Sequence, residues 1–195
     1  MVERQRYEVV QRCPGFEVRR YAAHLVAQVE VDGSFSDAAN RAFGDLAAFI
    51  SGRNSTRAKV AMTAPVVQEE ASARIAMTAP VVQEPGEGPG RYLVSFVMPA
   101  GFTTDTLPVP ADPRVRIREV PAELGAARTF TGRWSEALYQ EQLAALRTAV
   151  QQAGMEPGGA PKFARFDPPW TPWFLRRNEV VLPIADQPAP TTPPQ

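Results

Sequence analysis

Apolar residues along this chain fall into two kinds of pattern. Two stretches repeat at helical spacing. Ser34 to Ile50 places Phe35, Ala38, Ala39, Ala42, Phe43, Leu46 and Phe49/Ile50 along one face. Gly33-Ser34 precede it, with Ser34 or Ser36 available as cap, and Gly52 follows as a stop. Ser135 to Ala153 places Tyr139, Leu143, Leu146, Val150 and Ala153 on one stripe, with Ser135 to cap it and Gly154 to end it. Nine shorter runs, rich in Val, Phe and Ile and bounded by Pro, Gly or Asp, read as strands: 16–21, 25–31, 59–67, 75–82, 92–98, 115–120, 126–130, 162–166 and 179–184. Each helix is expected to lay its stripe on a sheet. Stretches 83–91 and 154–161 are loops, dense in Gly and Pro, and 185–195 reads as a disordered Pro-rich tail.

Two repeats organise these elements. Sliding the chain by 99 residues lays Phe16–Ala38 on Val115–Ala137 without a gap, with seven identities in twenty-three pairs, among them Gly33/Gly132 and Ser36/Ser135. Average composition gives about one or two by chance. Phe35 falls on Trp134 in this alignment. The chain is therefore expected to be two β-β-α-β-β units around a pseudo-twofold axis. A second, tighter repeat sets Lys59–Glu69 (KVAMTAPVVQE) fifteen residues before Arg74–Glu84 (RIAMTAPVVQE). Two copies are too few for a solenoid, and Thr-Ala-Pro should end a strand because Pro cannot donate to a ladder.

Composition removes several chemistries. The 195 residues hold 21 Lys plus Arg against 21 Asp plus Glu, and this balance argues against a dedicated nucleic-acid binder. One Cys excludes an intramolecular disulfide and any multi-cysteine metal site. One His, His24, excludes a His pair from a single chain. No GxSxG, HExxH, P-loop or GxGxxG is present. No signal region and no bilayer-length apolar run is seen, so the expected setting is cytoplasmic, without a membrane partner. What stands out is aromatic and sulfur-bearing: Met62, Met77 and Met98 on expected strands, and Trp170, Trp173 and Phe174 in a Pro-rich turn. Core packing accounts for most single residues of this kind. Met62 and Met77, at matching strand positions beside a helix, also suit the wall of a flat ligand site.

The doubled Met-Thr-Ala-Pro segment, Tyr92–Pro99 (YLVSFVMP), the 115–120 strand with its Pro121, and Phe166–Leu182 (FDPPWTPWFLRRNEVVL) together resemble the SOUL haem-binding protein family, and the doubled segment resembles its bacterial branch. The resemblance spans about residues 6–184, read as one domain with halves near 6–99 and 113–184. It implies an α+β fold: a distorted antiparallel β-barrel of eight to nine strands flanked by two helices, shared with gyrase-inhibitor-like effector-binding domains. The implied activity is binding of haem or another porphyrin, not catalysis. The implied haem surface runs along the first helix at Phe43, Leu46 and Ala47, with Met62 on the adjoining strand. Lysines that relatives offer to the propionates fall here at Ala48 and Thr171. Arg53, Arg57, Arg176 and Arg177 stand as substitutes, with Arg176 and Arg177 assigned, since Arg suits carboxylates. His24 is the candidate axial ligand to iron, Cys13 before Pro14 a second, and haem without a protein ligand a third arrangement.

The expected function is therefore a haem or tetrapyrrole carrier, buffer or sensor, monomeric or weakly homo-oligomeric. An effector-binding module for another small hydrophobic ligand is the alternative. A hydrolase with a Glu base in the barrel cleft is the third class.

Overall fold

A computed structural model describes residues 3–55 and 72–185. The expected strand over 59–67, with Met62, Arg57 and the first Met-Thr-Ala-Pro copy, lies outside them, as do residues 186–195 of the expected tail. In chain order the elements are β1 (Glu3–Arg4), β2 (Tyr7–Cys13), β3 (Phe16–Tyr21), β4 (His24–Asp32), α1 (Phe35–Ile50), β5 (Asn54–Ser55), β6 (Thr78–Ala79), β7 (Val81–Pro85), β8 (Arg91–Val97), β9 (Val109–Pro110), β10 (Arg116–Val120), β11 (Glu123–Thr131), α2 (Glu136–Gln152), β12 (Lys162–Arg165) and β13 (Arg177–Pro183). No helix among the described residues is long and apolar enough to cross a membrane.

Nine strands form one antiparallel sheet in the order β10-β4-β8-β7-β12-β13-β11-β3-β2, curled into a half-barrel. Apart from β2 the order is a palindrome of the two halves. The first strand of each unit crosses over, so β3 pairs with β11 and β10 with β4. The register is shared as well. His24 faces Val120, and 99 residues away Glu123 faces Tyr21; Gln28 faces Arg116, and Ala127 faces Glu17. Gly33 and Gly132 close the two long strands at φ values of 148° and 143°, a left-handed region that favours glycine. The sequence offset of 99 thus holds through the strands to the glycines.

It ends there. Ser34 caps α1 by accepting the Asp37 amide, and Ser135 caps α2 by accepting that of Leu138. These caps lie 101 residues apart, so two extra residues, Arg133 and Trp134, enter the second half before its helix. Ser36 is therefore not a cap, and Phe35, the first residue of α1, is not the counterpart of Trp134. Phe35 is buried against Tyr139 and Phe163.

Both helices lie on one face of the sheet. α1 packs across β4 and β8, and α2 across β13 and β11. Under α1 lie Leu25, Ala27, Val29, Val94 and Phe96. Under α2 lie Val18, Ala126, Val180 and Leu182. The expected stripes are buried except at Phe43 of α1 and Ala153 beyond α2. The opposite face is the concave one, because side chains from all nine strands line a single groove there, Tyr7 and Val120 from the two edge strands included.

Strand β2 has no counterpart in the sequence reading. Five of its seven residues are exposed, and it pairs only through β3, with a bulge between Val9 and Gln11. An edge strand exposed on both faces has no alternation to read.

Candidate functional site

Beside α1 a cleft of about 350 Å³ opens over the central strands β7 and β12. Its walls come from three places. α1 supplies Ala39, Asn40 and Phe43; the stretch into β7 supplies Met77, Thr78, Ala79 and Val81; the second half supplies Trp134, Arg165 and residues 166–170. Phe43 is 41% exposed and rests edge-on against Phe96, 5.4 Å between centroids. Met77 is 40% exposed. Exposed aromatic and thioether groups that line one cleft are the residues a ligand there would cover.

Buried polar contacts hold the second wall. Asn178 on β13 accepts from the indole N–H of Trp134 at 3.0 Å and from the Tyr139 hydroxyl at 3.1 Å, and its amide donates to the Gly132 carbonyl. The indole plane is thereby set before any ligand arrives. Arg176 donates to the carbonyls of Thr171 and Pro169, and its guanidinium lies 4.3 Å from the Trp134 ring centroid. Asp167 accepts the Arg177 amide at 2.6 Å. The Asp-Pro-Pro-Trp…Arg-Arg-Asn run is thus a brace for the cleft's rim.

Arg165, on the last position of β12, lines the cleft and is 6% exposed. It donates to the Gln83 amide oxygen at 3.2 Å, and Gln83 in turn donates to the Phe35 carbonyl. Its Nε has no partner. Among the described residues no carboxylate lies within ion-pair distance of it. Burial holds this guanidinium below the usual arginine range; the Tyr139 hydroxyl opposes that and the charge of Arg176 adds to it.

The site residues expected from the sequence separate accordingly. Phe43 and Met77 meet in the cleft. Leu46 does not: it is 0% exposed and packs into the core beneath α1. Ala47 is half-buried and does not line the cleft, and Met62 is outside the described residues. Arg176 stands at the rim as a brace. Arg177 is on the other side of the sheet, because alternate residues of β13 face opposite ways; it binds Glu179 at 2.6 Å. His24 also faces the concave side, with Val26, while its neighbour Leu25 faces α1. The sheet therefore stands between His24 and the cleft, which corrects its assignment as ligand to a group bound beside Phe43. Its Nε2 meets the Gln5 amide at 3.1 Å, its Nδ1 meets the Ala22 carbonyl at 2.9 Å, and burial lowers its pKa. Arg165 and Trp134 were not singled out by the sequence.

The concave face is chemically different. Glu179, 2% exposed, accepts from Arg19 at 2.8 Å, Arg177 at 2.6 Å and Thr129 at 2.9 Å. Lys162 pairs with Glu123. Among the described residues no group of three or more His, Cys, Asp or Glu is placed to hold a metal ion. The groove has little free volume, about 40 Å³, because its own side chains fill it.

The chain is a duplicated half-barrel with an apolar cleft beside α1, and the comparisons specify its family. The family model described as SOUL heme-binding protein matches residues 2–72 and 67–183, so the chain belongs to the SOUL haem-binding family. Each matched stretch holds one Met-Thr-Ala-Pro copy. No curated protein matches the chain. Among solved structures, the EcmrR C-terminal domain is similar with a TM-score of 0.62 at 9% identity, covering 93% of this chain and 99% of that one. A hydrolase from Listeria innocua is similar with a TM-score of 0.54 at 12% identity, covering 86% and 91%. At such identities the likeness is one of fold.

Proposed function

We propose that the helix-side cleft binds haem or a related tetrapyrrole, and that the protein is a carrier, buffer or sensor of that ligand. The observation that carries this reading is the apolar cleft beside Phe43 in a chain of the SOUL family. Its residues fit such a group. Phe43, Trp134, Phe166 and Trp170 offer aromatic surface to a planar macrocycle, Met77 offers a thioether to iron, and Arg165 offers a cation to a carboxylate. Iron in the bound group supplies its own ligand and redox chemistry; this chain supplies apolar burial and orientation.

Haemin titration followed at the Soret band tests the reading. A saturable one-to-one shift, with quenching of Trp134 and Trp170 fluorescence, is expected. Trp134→Ala should weaken binding roughly tenfold, about 1.4 kcal/mol of lost stacking. An absorbance that only adds to free haemin, with no quenching, overturns it.

A hydrolytic reading is the weaker one despite the Listeria hydrolase, whose likeness is in fold. The buried carboxylate of the concave groove, Glu179, is already engaged by two arginines and a threonine, a poor setting for a general base.

A further inference from the structure

Arginine is buried on both faces of the sheet, but only one face gives it carboxylates. Arg19 and Arg177 share Glu179. Arg165 has the Gln83 amide oxygen, the Tyr139 hydroxyl, an unpartnered Nε, and the rings of Phe35 and Trp134 at 5.7 and 5.1 Å from its guanidinium carbon. A buried cation without a counter-charge costs several kcal/mol. Asp167, the one carboxylate lining the cleft among the described residues, is turned to the Arg177 amide. Arg176 adds positive charge at the same end, and Arg133 lies 5.3 Å from the Trp173 ring.

We infer that the cleft selects an amphipathic anion: a planar apolar body between Phe43, Met77 and the tryptophans, with a carboxylate seated on Arg165. The inference rests on the binding reading above and adds to it the ligand's charge and the residue that recognises it. Arg165 is the specificity residue because it alone lines the cleft as a buried, unpaired cation among the described residues; Arg176 is spent on the carbonyls of Pro169 and Thr171. An unmet guanidinium in an apolar cleft also rejects neutral ligands of the same shape, since covering it without an anion removes its remaining access to water.

The test compares two pairs of probes that differ only at the acid: mesohaem against its dimethyl ester, and pyrenebutyrate against pyrenebutanol, each titrated by tryptophan quenching. Wild-type protein should bind each acid about tenfold or more tighter than its neutral partner. Arg165→Met should erase that preference, the acids losing affinity and the neutral probes gaining it. Arg165→Lys should keep part of it. Circular dichroism shows whether each variant is folded, and Arg165→Gln serves where Met does not fold. Equal wild-type affinity for acid and neutral probes overturns the inference and leaves the apolar cleft standing. A preference that survives in Arg165→Met assigns the anion elsewhere and also overturns it. Binding of none of the four probes overturns the cleft reading and the inference together.

Discussion

The two halves of the sheet are copies in backbone and opposites in chemistry. β8 and β13 are equivalent strands, because Arg91 faces Asp32 in one half and Arg177 faces Thr131, 99 residues on, in the other. The two arginines therefore occupy one structural position. Arg91 pairs at the surface with Asp32 at 3.1 Å and Glu30 at 3.8 Å. Arg177 turns inward to Glu179, which sits where the first half has Leu93. The cleft shows the same division. The first half supplies α1 and the stretch through Met77, the second supplies the two-residue insertion with Trp134 and the long β12–β13 loop with Trp170. Strand pairing tolerates little change, because a one-residue slip inverts every side chain. Connections tolerate a great deal. The duplication fixed a frame, and the chemistry sits where the halves came to differ.

The buried ion cluster gives the largest test of that division. Glu179→Gln leaves Arg177 with no ion-pair partner among the described residues and Arg19 with the half-buried Glu17 alone, and should cost about 3 kcal/mol. Glu30→Gln, at the position 99 residues before Thr129, removes only an exposed pair and should cost about 1 kcal/mol or less. Urea unfolding of both variants decides it. Equal losses would mean that the two halves carry charge in the same way, and the comparison would fail.

Much of this frame was legible in the sequence, and the failures have specific physical causes. Alternation and the 99-residue offset located seven described strands of the sheet, because each has one face under a helix or inside the groove; the expected run 75–82 was displaced, since Pro80 precedes β7 instead of ending it and the strand runs on to Pro85, into the stretch read as a loop. The helix stripes were legible for the same reason. β2 was not, being an exposed edge. Phe43 was singled out through the family resemblance, and Met77 through the repeated Met-Thr-Ala-Pro segment. His24 was misplaced although parity was available: Leu25, Ala27 and Val29 form the helix side, so His24 belongs to the other. Arg176 and Arg177 are neighbours whose side chains part at the start of a strand, so one rim position could be right only for one of them. Arg165 gave no signal, because Lys-Phe-Ala-Arg reads as any half-buried strand. Its burial comes from lying beside the dyad, under the meeting of two halves, which no local pattern reports. Trp134 was hidden by a gapless alignment that ran on past Gly33 and Gly132, where the second half inserts two residues.

A smaller effect separates His24 from its counterpart Glu123. In the second half this position carries an ion pair with Lys162; in the first it carries an imidazole that burial keeps below its ordinary pKa. The unfolded chain therefore binds a proton at His24 more readily than the folded one. Stability should fall as pH drops through about 6.5, the unfolded histidine value, and continue to fall until the folded form is protonated. His24→Gln removes this component. Urea midpoints measured from pH 7.5 to 5 should decline less steeply in the variant. Parallel declines would show that folding does not alter the proton affinity of His24.

The smallest effect is expected where the halves differ most in length. Thirty residues, 51–80, join α1 to β7 by way of β5 and β6, whereas nine residues, 153–161, join α2 to β12, the counterpart of β7. The tandem repeat accounts for fifteen of the extra residues. Asn54 binds Ala73 through both backbone groups, donating to its carbonyl at 2.8 Å and accepting its amide at 2.9 Å, and Ile75 donates to Ile50 at 2.8 Å. Ala73 is therefore already beside Asn54. Deleting residues 57–71 would leave Ser55, Thr56 and Ser72 between them, four links with a reach of about 13 Å, ample for two residues in hydrogen-bond contact. The join, Asn-Ser-Thr-Ser-Ala-Arg-Ile-Ala-Met, repeats the spacing that Asn54 has to the first copy, Asn-Ser-Thr-Arg-Ala-Lys-Val-Ala-Met. Met77, Thr78 and Val81 keep their places in the cleft, and a shorter connection lowers closure entropy by about 0.6 kcal/mol for each halving. The deletion should leave stability within about 1 kcal/mol of wild type and the cleft's affinity for haemin unchanged. Loss of folding would show that the first copy holds the frame together; loss of haemin binding alone would show that it completes the site.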